Sequence, residues 1–290
     1  MIRRATDQDI SALKALWEDA FDDPLNYVDF FYNNVAKTGD TFVFEVENQI
    51  ASMLTMIPIE FVFQDKAVRA VYLYGCATLT KFRRKGIMKS MIRKAEQIAK
   101  SNGCALSVLV PGEKYLFKYY KDLGYAPDFN MNVVKLRHGV LDETIRSDAA
   151  LDVDALSPEQ LYALREKYLE SIPHVRWYPS QLEFLLKDAK VYGEHTAHLA
   201  GEHGEAYAIY GMQDKRLFIK EVLGDALPAQ HCLIAKIIER ENPKGVFVHQ
   251  PVLAELFRYD GETMMYGMAK PLAGTHNIKD MEPYMNLMLD

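Results

Sequence analysis

The stretch TLTKFRRKGIMKS, residues 78–90, gathers Arg83, Arg84 and Lys85 in front of Gly86, between a run of β-formers and the start of an amphipathic helix. Cations are poorly placed there, because unpaired N–H groups already give a helix N-terminus about +0.5 of a charge. An anion is expected. Glycine lets the backbone come close while the first helical N–H groups point outward, which suits the oxygens of a pyrophosphate. Arg83, Arg84 and Lys85 would add charge-assisted contacts to that group or to a neighbouring phosphate. Taken alone, three bases read more readily as a solvated turn.

A second chemical cluster is aromatic: Tyr115, Phe117, Tyr119, Tyr120 and Tyr125 crowd the segment EKYLFKYYKDLGY. A phenol of pKa about 10 can protonate a thiolate whose acid has a pKa of about 8.5 when a collapsing intermediate drives the transfer. Most of these rings must simply pack, since aromatics at helical spacing usually form core. His195, His198 and His203 resemble metal ligands in number. Period-two alternation nevertheless puts His195 and His198 on opposite strand faces, and GEHGE reads as a turn, so no metal site is expected. Cys76 reads as a small buried hydrophobe rather than a nucleophile, with no base beside it in sequence.

These groups need a framework, and the composition allows one. The chain has 290 residues, 49% hydrophobic and 26% charged, enough for about two domains at ~150 residues each. A net charge of -6 argues against a general nucleic-acid binder, so the basic cluster is local. No run of about 18 apolar residues and no signal-peptide core is readable. Cys76, Cys104 and Cys232 cannot all pair with one another and match no zinc spacing. A reduced, cytoplasmic chain with neither membrane nor nucleic-acid partner is the expectation.

Ile10, Leu13, Leu16, Trp17 and Phe21 predict a helix over 7–21, and an aromatic-rich helix follows over 24–35. Residues 41–46, 49–63 and 67–80 read as strands. A 3.6-residue period then runs from Gly86 through Ile87, Met88, Met91, Ile92, Ala95 and Ala99 to the stop SNG. A buried strand over 104–110, a short helix ended by Gly124 and a strand over 129–136 complete the unit. The second half repeats the order: helices over 157–169 and 180–187, strands over 193–202, 205–214 and 215–224, a helix over 228–241 and a strand over 245–250. Its segment before the last helix, EVLGDALPAQHC, contains no Arg-rich glycine turn, so no second phosphate site is expected. In EPYMNLMLD, Met285, Leu287 and Leu289 alternate with Asn286, Met288 and Asp290, which predicts a docked terminal strand.

TLTKFRRKGIM with its helix, and FKYYKDLGY about thirty residues later, resemble the acetyl-CoA signature and tyrosine helix of Gcn5-related N-acetyltransferases (GNAT). Arg83 and Gly86 match the signature, while Met88 stands where a small residue is usual, a departure shared with the Eis-type branch. The resemblance implies an α/β (α+β) fold of two tandem GNAT-like copies, with mixed, mostly antiparallel sheets flanked by helices and a degenerate second copy. Boundaries are placed at 1–138 for the acetyl-CoA-binding domain, 139–156 for a linker and 157–290 for the second domain, with no sterol-carrier-like third domain. It also implies that backbone groups of Thr78, Leu79 and Thr80 hold the acetyl and pantetheine portions. The amides of Arg83, Arg84, Lys85, Gly86, Ile87 and Met88 would hold the pyrophosphate. Tyr120 would be the general acid, with Tyr119 as the fallback, and the Asp290 α-carboxylate would take the amine's proton. A terminal strand that only completes the second half is the equal alternative for Asp290.

The function implied is acetyl-CoA-dependent N-acetyl transfer to an amine by direct attack in a ternary complex. A non-catalytic acyl-CoA sensor or scaffold is the alternative. The acceptor, a small-molecule or peptide amine, is not fixed by the sequence, although the acidic net charge mildly favours a cationic one. Acyl-chain preference stays open, as does a homo-oligomeric state.

Overall fold

A computed structural model describes residues 1–34, 40–64, 66–136, 148–257, 261–274 and 278–289. The first half opens with β1 (Ile2–Arg4), α1 (Ile10–Ala20) and α2 (Leu25–Asn34). The antiparallel strands β2 (Asp40–Val46), β3 (Gln49–Phe63) and β4 (Lys66–Thr78) follow. Next come α3 (Ile87–Ser101), β5 (Leu106–Leu109), α4 (Leu116–Lys121) and β6 (Ala126–Leu136). α3 buries Ile87, Met91, Ile92, Ala95 and Ala99 against Val71, Leu73, Ala51 and Leu54 on one sheet face. Each fully buried Ile or Met on such a stripe contributes ~1.5–3 kcal/mol relative to exposure. The helix ends where Gly103 turns left-handed (φ 79°) and the Cys104 N–H donates back to the Ala99 carbonyl. On the opposite face α1 buries Leu13, Leu16 and Trp17 with Tyr27, Phe31 and Tyr72.

The second half repeats the order with β7 (Asp152–Val153), α5 (Pro158–Tyr168), β8 (His174–Arg176) and α6 (Pro179–Val191). The strands β9 (Glu194–Gly201), β10 (Gly204–Gln213) and β11 (Arg216–Gly224) come next. They lead to α7 (Leu227–Glu241), β12 (Gly245–Pro251) and β13 (Gly261–Pro271). α5 starts on a capping box in which Ser157 and Gln160 each satisfy the other's backbone N–H, with Pro158 at the first helical position.

Among the described residues thirteen strands form one sheet, ordered β1-β2-β3-β4-β5-β13-β6-β12-β11-β10-β9-β7, with β8 paired to β3. The order exposes a reciprocal exchange. β13, from the second half, lies between β5 and β6 of the first, with Ala269 opposite Val108 and Met264 opposite Met131. β6, from the first half, lies between β13 and β12, with Val134 opposite Val248. The two copies the sequence predicts are therefore stitched through their centre.

Four elements lie outside what periodicity finds. β1, β8 and β13 are strands the sequence reading leaves unassigned, and β1 pairs with β2 although it precedes both helices. Residues 152–153, inside the segment read as linker, pair with β9, while residues 139–147 of that segment lie outside the described ones. The predicted strand at 285–289 is corrected: the segment is docked but irregular. Residues 284–289 are all buried, and Leu287 has a positive φ of 57° that breaks extension. A parallel bridge from His174 to Tyr284 is the strand-like contact there. The segment threads between the halves and is covered on all sides, which alternation cannot anticipate. Met285 crosses β13 at Gly267, where any β-carbon would collide with its side chain.

Beneath it lies a dry ion pair. Arg165 donates through Nε to Glu221 (3.3 Å) and through Nη1 to the Val175 carbonyl (2.8 Å), and the Tyr207 hydroxyl donates to the same carboxylate (2.7 Å). Both side chains are buried.

Candidate active site

β4 and β5 run parallel and pair over Ala70↔Leu106, Val71↔Ser107 and Tyr72↔Val108. β4 continues to Thr78 while β5 ends at Leu109, so residues 73–78 have no strand partner on that side. A bulge at this point puts Gly75 in a left-handed conformation (φ 59°), with the Trp17 ring close behind it. Through the split passes a cleft of about 1490 Å³. It is lined from the α3 face by Leu73, Cys76, Ile87, Met88 and Tyr120, and from the α1–α2 face by Trp17, Tyr27, Tyr74 and Leu289.

On the α3 side the turn after β4 has the form of an anion cradle. Gly86 caps α3 at φ 76°, and a β-carbon added there would meet nothing within 4 Å. No side chain caps the helix and no acid stands in its first turn, so its N–H groups open onto the cleft uncompensated. Arg84, itself left-handed at φ 64°, makes no hydrogen bond or ion pair among the described residues and lines the cleft. Gly86, Ile87 and Met88 line it too, and the open space in front of the glycine fits a pyrophosphate.

Other predicted ligands sit differently. Arg83 lines the cleft, yet its Nε donates to the Thr78 carbonyl (2.9 Å) and its Nη2 lies 3.7 Å from the Asp19 carboxylate, so it braces the turn. Lys85 does not line the cleft; its ammonium lies 5.2 Å from the Phe82 ring centroid. Thr78 lines it. Leu79 and Thr80 do not, and their N–H groups are taken by the Ala51 carbonyl (2.9 Å) and by Asp19 (2.9 Å). The free edge of β4 lies earlier than the sequence placed it, at residues 73–78, because the chain turns away into a short 3-10 turn at Thr80–Phe82.

Tyr120, on α4, is buried and reaches the cleft, where it shares a hydrogen bond with the Cys76 thiol. Burial, then proximity to Cys76, raises its pKa well above the usual phenol value, so the hydroxyl keeps its proton. Burial likewise pushes the Cys76 thiol up to about 12, which leaves it a neutral partner of Tyr120 rather than a nucleophile. Tyr119 also lines the cleft and Tyr115 is exposed. Asp290 lies outside the described residues. Its neighbour Leu289 lines the cleft and accepts a hydrogen bond from the Tyr72 hydroxyl (3.1 Å). His195 and His198 pair separately with Asp154 (2.8 Å) and Glu205 (3.1 Å).

The far wall carries residues that sequence reasoning missed. Asp22, Asp23 and Asp188 face the cleft with Tyr27, Tyr74, Tyr192 and His249. Asp23 accepts from Trp17 Nε1 (2.8 Å) and from the Tyr192 hydroxyl (3.1 Å), and the Tyr27 and Tyr74 hydroxyls lie 2.6 Å apart. These groups come from the α1–α2 loop, α2, β4, α6 with the residue that caps it, and β12, and no spacing joins them. The DD pair at 22–23 and the histidine interrupting VFVHQP are the local traces they leave.

No described group of three or more His, Cys, Asp or Glu could hold a metal ion, and no described helix is long and apolar enough to cross a membrane.

Comparison with known proteins bears on this geometry. Residues 1–127 match the family model described as an acetyltransferase (GNAT) domain. No curated protein matches the chain in sequence. A GCN5-related N-acetyltransferase from Anabaena variabilis is similar in structure at 15% identity and a TM-score of 0.74, over 94% of this chain and 73% of that one. Eis1 from Mycobacterium abscessus is similar at 12% identity and a TM-score of 0.67, over 94% of this chain and 74% of that one. A tandem GNAT protein from the clavulanic acid biosynthesis pathway is similar at 10% identity and a TM-score of 0.57, over 95% and 99% of the two chains. A split between β4 and β5, an uncapped glycine turn leading into α3 and a matching family model agree that the chain carries a GNAT acetyltransferase domain in its first 127 residues, within a fold shared with tandem members of that family.

Proposed function

We propose that the protein transfers an acetyl group from acetyl-CoA to a cationic amine, directly and within one ternary complex. The observation that carries this reading is the charge division of a cleft that passes through the sheet. Arg83, Arg84, Lys89 and Lys114 line the α3 side, with Glu113 beside them, whereas Asp22, Asp23 and Asp188 line the other. A basic entrance suits phosphates and an acidic one attracts ammonium groups. The two reactants would enter from opposite faces and meet at the split.

Each part of the chain then has a task. The first-turn amides of α3 and the Arg84 guanidinium bind the pyrophosphate. The unpartnered edge at residues 73–78 offers backbone groups to the pantetheine arm. Aromatic walls from Tyr27, Tyr74 and Tyr192 hold the acceptor's cation and exclude water. As the nitrogen–carbon bond forms and the carbon–sulfur bond breaks, Tyr120 gives its proton to the leaving thiolate. The acceptor is a small-molecule or peptide amine.

The test is release of free CoA on incubation with acetyl-CoA and a panel of mono- and polycationic amines. Turnover that rises with acceptor charge and weakens with added salt supports the reading. Tight acetyl-CoA binding without turnover would replace it with a sensor.

A further inference from the structure

We propose that His249, on β12 of the second half, accepts the proton that the acceptor amine sheds as it attacks. This rests on the acetyl-transfer reading above. His249 lines the main cleft and also a small side chamber of about 60 Å³, and Asp188 and Tyr266 are shared by both walls. The imidazole therefore stands where the acidic arm of the cleft meets the second half. It makes no hydrogen bond or ion pair among the described residues, which leaves its ring nitrogens to a ligand in the cleft.

Its surroundings favour the neutral form. Burial, then the nearby Lys220 ammonium, lowers its pKa below the usual 6.5. The titratable groups facing the chamber are Asp188 from α6, Glu194 from β9, Lys220 from β11 and Tyr266 from β13. Lys220 is paired with Glu194 at 2.8 Å, which offsets part of its effect and leaves burial as the larger cause. An imidazole near neutrality is also better matched to proton transfer at physiological pH than a carboxylate of pKa about 4. Asp23, the carboxylate nearest in kind, is already held by Trp17 and Tyr192.

The step balances. The amine nitrogen bonds to the acetyl carbon, its surplus proton passes to His249, and the carbon–sulfur bond breaks. Tyr120 protonates the thiolate, and His249 returns its proton to solvent while Tyr120 regains one. The products are amide and free CoA thiol.

The experiment is the pH dependence of kcat/KM from pH 5 to pH 9 for the parent and for His249→Gln, with His249→Asn as a second variant and acetyl-CoA affinity by calorimetry as the control. With an amine of pKa about 10.4, the parent's log kcat/KM should rise with a slope of about one above the imidazole pKa and about two below it. His249→Gln should lose ~10²-fold or more in rate, keep a slope of about one throughout, and bind acetyl-CoA within about twofold of the parent. Added imidazole should restore part of the rate to His249→Ala. A parent that turns over while both His249→Gln and His249→Asn retain its rate and its steep limb refutes the role of His249 alone. A parent that binds acetyl-CoA and acetylates no amine at any pH refutes the transfer reading, and the histidine's role with it.

Discussion

Replacing Gly86 with alanine separates the two demands placed on that residue. Its φ of 76° is a conformation that alanine adopts at a cost of ~1–2 kcal/mol, partly offset by ~0.4–1 kcal/mol from a less flexible unfolded chain. No steric cost adds to this, because nothing lies within 4 Å of the new β-carbon. Gly103, at the other end of α3, provides the control. Its φ is 79° and its added β-carbon meets the Arg69 side chain at an ordinary 3.8 Å. Both variants should therefore lose on the order of 1 kcal/mol by chemical denaturation. Only at Gly86 does the methyl project into the space in front of an uncapped helix N-terminus. Displacing a phosphate oxygen from one charge-assisted amide contact costs ~1.5–3 kcal/mol, at least tenfold in affinity. Calorimetry should show acetyl-CoA binding weakened by tenfold or more in Gly86→Ala and unchanged in Gly103→Ala. Equal affinities in both variants would remove the phosphate cradle from this turn.

Tyr120→Phe should keep fold and acetyl-CoA affinity while lowering kcat by ~10²-fold, read from CoA release; a rate within twofold of the parent would move the acid to Tyr119 or to water. Arg165→Met strands the Glu221 carboxylate in a dry site and should cost ~3–5 kcal/mol in denaturant titrations, and the double replacement Arg165→Met with Glu221→Leu should recover much of it. If Arg165→Met loses under about 1 kcal/mol, the pair is not the dry one described. Gly267→Ala should destabilise by ~1–3 kcal/mol through collision with Met285, and Met285→Ala should relieve it. A second change that adds its own loss instead would show that the two positions do not meet.

The elements of the first half were readable because each satisfies one periodicity. The α3 stripe faces a single sheet surface, and β3 and β4 are long enough for their apolar content to dominate. β13 was not readable. GETMMYGMAKP starts on one glycine, carries another inside and has adjacent methionines, and it is strand because β5 and β6 hold it on either side. The glycine of the turn is plain in the sequence, whereas which of its cations line the cleft is not. Which of three adjacent bases faces a ligand depends on the Thr78 carbonyl and Asp19, the latter more than sixty residues away. Asp188 and His249 left the weakest trace. Each is one polar residue in an otherwise ordinary helix or strand, and only the packing of the second half against the first brings them to the cleft.

The interlocked centre of the sheet also sets a clock. A ribosome completes β6 at Leu136 and reaches the end of β13 at Pro271 only 135 residues later, a delay of roughly 7–27 s at ~5–20 residues per second. Throughout that interval β5 and β6 stand apart with an unfilled slot between them, each presenting bare backbone donors and acceptors. Such edges recruit other strands. The nascent first half is therefore the vulnerable species, and slow translation of the second half should lower soluble yield even though every residue of the finished protein is unchanged.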